Sequence, residues 1–314
     1  MNELSTIDTF IYIVTNIIFP IFFLIAIGFI AQKKLKMDIR TLTRLNIYIF
    51  TPAVLFIKIY ETKVSIKFFF QVLIYAGSIQ CIMYFISWGI SKVLKYDKGT
   101  RKAFCNSLIF FNSGNYGLPL IELVTKGNPV AVTSQVFIML LQNITTNSIG
   151  VFQASSGKYD TKQSLKNILA MPAIYAMLIV AIVKILKIEV PALIMLPLDY
   201  ISRGFIAMAL VTLGAQLLEV KIELRLRDIF VSSFTRLILS PILGAIILIV
   251  MGVKGILAQA LIFGISTPTA VTTALIAREF DNEPEYASQI VFVSTILSGI
   301  TIPIIIYLTG QFLL

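Results

Sequence analysis

Two stretches of neutral hydrogen-bonding residues sit inside apolar runs, and their residue types suit the holding of an anion. The first, Phe110 to Glu122, reads FFNSGNYGLPLIE and carries Asn112, Ser113, Gly114, Asn115, Gly117 and Pro119. The second, Gly264 to Thr273, reads GISTPTAVTT, with Pro268 flanked by Ser266, Thr267 and Thr269, and with Thr272 beyond. Proline removes a backbone donor and glycine loosens a helix, so each run is expected to break there. In lipid every backbone polar group must be satisfied internally, so an unwound stretch must face protein or water. A helix restarting after the break presents free N–H groups and about half a positive charge. Two such ends meeting near the middle of a bilayer would hold an anion with no buried Lys or Arg. Either break alone is explained as well by a kink or a packing device; two in corresponding places point to a transport site.

The rest of the chain must position those breaks. Hydrophobic residues make up 57% of the 314 residues and charged residues 13%, against about 25% charged in soluble domains. The apolar runs are about 20 residues long, which suits helices rather than barrel strands. The expected fold is therefore an all-α integral membrane protein. Ten spans are expected, near 10–31, 45–59, 68–94, 103–124, 129–152, 165–186, 201–218, 229–253, 256–277 and 286–313. The second carries Thr51-Pro52 and is expected to be short and kinked. Gln142, Asn143, Thr145, Thr146 and Asn147 in the fifth read as interhelical glue. Cys81 and Cys105 read as buried small residues. The chain has no His, which removes the commonest metal ligand and His-based triads, so no enzyme, metal site or organic cofactor is expected.

The net charge of +10 follows membrane topology rather than nucleic acid. Segments 33–44, 92–102, 158–166 and 221–236 together with Arg278 hold 18 of the 26 Lys and Arg. If these are the inner loops, both termini lie outside the cell membrane. This reading puts Arg236 in a loop. Five spans per half is an odd number, so two equivalent halves must be inverted relative to each other. Pro20 and Pro172 lie 152 positions apart and Pro129 and Pro284 lie 155 apart, a weak echo of that repeat. The expected organisation is a first five-helix repeat over 1–152, a cytoplasmic linker over 153–163 and a second repeat over 164–314. Glu122 reads as an interfacial acid or a proton carrier, Asp199 and Arg203 as a pair on one helix face, and Glu279, Asp281, Glu283 and Glu285 as a solvated loop.

At Asn115 to Pro119, Pro268, Ala277-Arg278-Glu279-Phe280, Pro284, Ser288 and the run Ser294 to Pro303, the chain resembles the auxin efflux carrier family. That family includes plant PIN carriers and bacterial malate or malonate permeases. The resemblance spans nearly the whole chain. It implies ten helices in two inverted five-helix repeats, with discontinuous helices four and nine crossing at their breaks. It also implies a scaffold around the second and seventh spans, against which the crossing domain moves like an elevator. Asn115, Pro119 and Pro268 match the family's substrate contacts, with Val54 lining the scaffold side. The expectation is a carrier of a small organic anion, a mono- or dicarboxylate such as malate, with an anion channel or ligand sensor on the same scaffold as the alternative. Uniport, Na⁺ held by backbone carbonyls and H⁺ through Glu122 are all compatible with these residues, and a homodimer is left open.

Overall fold

The computed structural model describes residues 6–62, 65–155, 166, 169–219 and 225–312. Among them every regular element is a helix. The first half contains α1 (Ile7–Leu35), α2 (Ile39–Glu61), α3 (Ile66–Val93), a broken pair α4 (Lys98–Ile109) and α5 (Leu118–Val124), and α6 (Pro129–Thr145). The second half contains α7 (Pro172–Ile185), α8 (Ala192–Leu217), α9 (Leu226–Met251), a second broken pair α10 (Gly255–Ile265) and α11 (Val271–Glu279), and α12 (Pro284–Phe312). Six of these, namely α1, α2, α3, α8, α9 and α12, are long and apolar enough to cross a bilayer. The expected linker 153–163 lies, from residue 156 onward, outside the described residues, as do Lys158, Lys162 and Lys221.

The prolines shape the helices differently from expectation. α2 runs for 23 residues through Pro52 instead of ending short. Five-residue π turns at Val14–Ile18, Asn46–Phe50, Ser113–Gly117 and Thr235–Leu239 each end two residues before a proline, at Pro20, Pro52, Pro119 and Pro241. A proline ring clashes with the carbonyl four residues back, and the widened π turn relieves that clash without ending the helix. α8 begins nine residues earlier than the expected span, at Ala192, and carries Pro197 inside it.

The helices pack as two groups. α1, α2, α7 and α8 form one, and α3 to α6 with α9 to α12 form the other. In the first, α1 and α8 touch backbone to backbone: a Cβ on Gly28 would lie 2.0 Å from the Val211 carbonyl oxygen, and one on Gly214 would lie 1.9 Å from that of Ile25. Small residues allow this approach, and close van der Waals packing is what joins helices where lipid supplies no hydrophobic drive. Lys184 on α7 closes the end of α2, its Nζ donating to the carbonyls of Ile59 at 2.9 Å and Tyr60 at 2.8 Å and to that of Thr62. The second group is knitted at one end by Arg225, which pairs with Glu283 at 2.9 Å and donates to the Thr100 hydroxyl at 3.2 Å. Glu283 is thus tied to its own group rather than solvated with the other acids of its loop. Cys81, expected to be buried, is exposed on α3, whereas Cys105 is buried on α4.

Candidate functional site

The first break begins where α4 ends. Asp97 caps the helix, its carboxylate accepting from the amides of Gly99 at 2.8 Å and Thr100 at 3.1 Å. The Thr100 hydroxyl and amide hold that carboxyl below the usual carboxylate range. After twelve helical residues Phe110 turns extended, and the chain becomes helical again only at the π turn leading into α5. The second break is built alike, with Ala270 extended just ahead of α11. The two extended segments cross. Phe111 and Thr269 form an antiparallel bridge, in which Asn112 N donates to Pro268 O at 2.8 Å and Ala270 N to Phe110 O at 3.0 Å. Each break therefore satisfies a backbone group of the other, as a buried unwound segment requires.

The sequence-predicted residues divide at this crossing. Thr267 and Thr269 are fully buried, and their hydroxyls donate to the carbonyls of Gly264 at 2.9 Å and Ser107 at 2.9 Å. The Thr269 amide donates to the Ser294 hydroxyl on α12 at 3.2 Å. Both threonines hold the crossing together, and Pro268 lends it a carbonyl. Ser113 likewise gives its carbonyl to the Gln135 amide at 2.7 Å. Asn112 differs: its side chain is buried and its Nδ2 has no partner among the described residues. Asn115 is half-buried in the π turn, three residues before Leu118 and seven before Glu122. Gly117 admits Gln135, and Pro119 is the second residue of α5, its ring accommodated by the π turn just before it.

Two residues that sequence reasoning passed over complete the crossing. Arg236, placed in a loop by its charge, lies on α9 and is fully buried. Its guanidinium donates to Leu108 O at 2.9 Å, to the Ser240 hydroxyl at 2.8 Å and to Ile265 O, and it lies 4.8 Å from the centre of the Phe111 ring. The expectation of a crossing without a buried cation is therefore wrong. An Arg seven residues inside the expected span 229–253 is itself the signal that would have found it. Gln135, fully buried on α6, is wedged between the two breaks: a Cβ on Gly117 would lie 2.4 Å from its Nε2, and one on Gly264 would lie 2.3 Å from its Oε1.

A cavity of about 360 Å³ opens between the two helix groups beside the first break. Val54 and Lys58 of α2 and Ser202 and Phe205 of α8 form one wall, and Leu118 and Glu122 of α5 form the other. Glu122 pairs with Lys58 at 2.9 Å across it, and Asp199 pairs with Arg203 at 2.8 Å at its rim. On the opposite side of the crossing, the seam between α8 and α11 leaves only about 30 Å³, room for roughly one or two waters. There Arg278 reaches Glu219 at 3.3 Å. Among the described residues no three metal-ligating side chains converge.

A sequence profile of the family described as membrane transport protein matches residues 13–306. The chain belongs to that family. The membrane transport family match covers the crossing, the cavity and both helix groups, and it agrees with the resemblance to auxin efflux carriers. The chain is also 22% identical over 301 residues to an uncharacterized transporter of Methanothermobacter thermautotrophicus, covering 92% of this chain and 96% of that one. Membership in this transport family and the six long apolar helices make it a multi-pass membrane transporter.

Proposed function

We propose that the chain carries a small organic anion, a mono- or dicarboxylate such as malate, across the cell membrane by alternating access. The observation that carries this reading is the crossing of two unwound segments beside a cavity, with the Asn112 amide unpartnered. The substrate carboxylate accepts from Asn112 and Asn115 and from the amides at the start of the π turn, where the dipole favours negative charge. The α1, α2, α7, α8 group is the scaffold, with Val54 facing the substrate, and the other group carries the crossing past it like an elevator. Ten spans in two inverted repeats, 1–152 and 164–314 joined by the linker 153–163, give that movement its two equivalent end states. The positive-inside bias puts both termini and the Glu122 side of the cavity outside.

A cavity open on one side and a seam closed on the other favours a carrier over a channel, which needs both sides open at once. The 2.9 Å pair with Lys58 engages the Glu122 carboxylate and so disfavours it as the proton carrier. Uptake of labelled malate and related acids into liposomes tests the reading. It should saturate and show exchange, and Asn115→Ala should lower it about 10- to 150-fold, the loss of a hydrogen bond to a charged group. Uptake unchanged by Asn115→Ala removes that residue from the site, and non-saturating flux without exchange turns the reading toward a channel.

A further inference from the structure

Arg236 carries the only side-chain charge described at the crossing, and no carboxylate pairs with it among the described residues. A buried cation without a counter-ion is costly, and in a membrane protein such a group marks function. Its partners explain how it is tolerated. Leu108 lies one residue from the end of α4, and Ile265 is the last residue of α10. Both carbonyls belong to the C-terminal turns of the two first half-helices, where free carbonyls and the dipole amount to about half a negative charge each. One guanidinium, with about one positive charge, balances the pair. The facing starts of the π turn that leads into α5 and of α11, each worth about half a positive charge, are then left unopposed beside the break.

We infer that Arg236 is a positioning residue for transport: a tethered cation that binds the C-terminal ends of both broken helices into one rigid unit and leaves their partner N-terminal ends free to attract the anion. Without it, two like-signed helix ends would converge and need a mobile cation between them. The planar fork suits this task, since it reaches Leu108, Ser240 and Ile265 from one group. The Phe111 ring, 4.8 Å away, covers its face from the unwound segment itself. The inference rests on the transport reading for its consequence, but the contacts that carry it do not depend on any substrate.

Thermal unfolding of the full chain in detergent tests it without knowledge of the substrate. Arg236→Ala should lower the melting temperature by at least about 5 °C. Guanidinium chloride on the order of 10 mM, far below the molar concentrations that unfold proteins, should then recover at least half of that loss, while leaving the wild type unchanged. Sodium chloride of equal ionic strength controls for screening. Arg236→Lys, which keeps the charge, should melt above Arg236→Met, which keeps only the bulk. The Lys-to-Met comparison stands even if Arg236→Ala does not fold. Arg236→Met matching or exceeding Arg236→Lys overturns the inference, as does a folded Arg236→Ala that guanidinium stabilises no more than sodium chloride does. Because neither readout involves uptake, a failed malate assay leaves this test intact, and a failed test here leaves the malate assay intact.

Discussion

Gln135 shows how a single side chain can set the distance between two unwound segments. Its Nε2 donates to Ser113 O at 2.7 Å, and its amide fills the space that Gly117 and Gly264 leave open. Gly264→Ala should therefore destabilise the protein by about 1–3 kcal/mol, the cost of overpacking a filled interior. On a Gln135→Ala background the same substitution should cost at least about 1 kcal/mol less, because the clash has gone. Melting temperatures of the four members of this cycle decide it, and additive effects would mean that the two residues do not share that space. Asn112, Asn115 and the prolines were legible in the sequence because a polar residue inside an apolar run is conspicuous. The occupation of Thr267 and Thr269 was not legible, since a hydroxyl that binds a ligand and one that binds a neighbouring carbonyl are the same letter. Arg236 was hidden because counting charges for topology assigns every cation near a span end to water.

Helix boundaries follow local chemistry more closely than hydropathy. Asp97, Asn128 and Ser65 accept from the first amides of α4, α6 and α3, and such caps are visible in a sequence. The π turns are not, because proline alone does not say whether a helix ends or widens; continuity of α2 through Pro52 depends on the tertiary contacts around it. The cap at Asp97 matters beyond its own helix, since α4 must be held in register for its far end to meet Pro268. Asp97→Ala should cost about 1 kcal/mol, read as a lower melting temperature at neutral pH. Its carboxyl is held below the usual range in the folded protein, so the folded state favours the ionised form. That stabilisation is full above the unfolded carboxyl value of about 3.9 and is lost as pH falls through the lower folded value. The gap between wild type and Asp97→Ala should therefore narrow in acid, and a gap constant down to the acid limb would show that the cap does not act through its charge.

At the scale of the whole molecule, the two helix groups touch on both sides of the crossing but differ in what closes each side. Beside α5 the groups stand apart around about 360 Å³, bridged by Lys58 and Glu122. Beside α11 they close to about 30 Å³, with Glu219 just beyond the end of α8 facing Arg278. The two ion pairs occupy equivalent places, each joining the end of the helix after a break to the end of α2 or α8, with the signs exchanged. The Arg278–Glu219 pair is exposed, and such a pair contributes about 0–1 kcal/mol, which is small against folding. If the proposed carrier alternates between two end states of similar energy, the same amount shifts populations up to about fivefold. Arg278→Glu, which sets two acids against each other, should therefore favour opening of the α11 seam. Ala274→Cys, on the wall of that seam, reports the change in a background with Cys81 replaced by serine. In detergent, its reaction with a water-soluble thiol reagent should be slow with Arg278 present and severalfold faster with Arg278→Glu. Adding Glu219→Lys restores opposite charges and should slow it again. Equal labelling in all three would mean that the ion pair decorates a seam held shut by α8 and α11 alone, and that the equilibrium between end states is set by apolar packing.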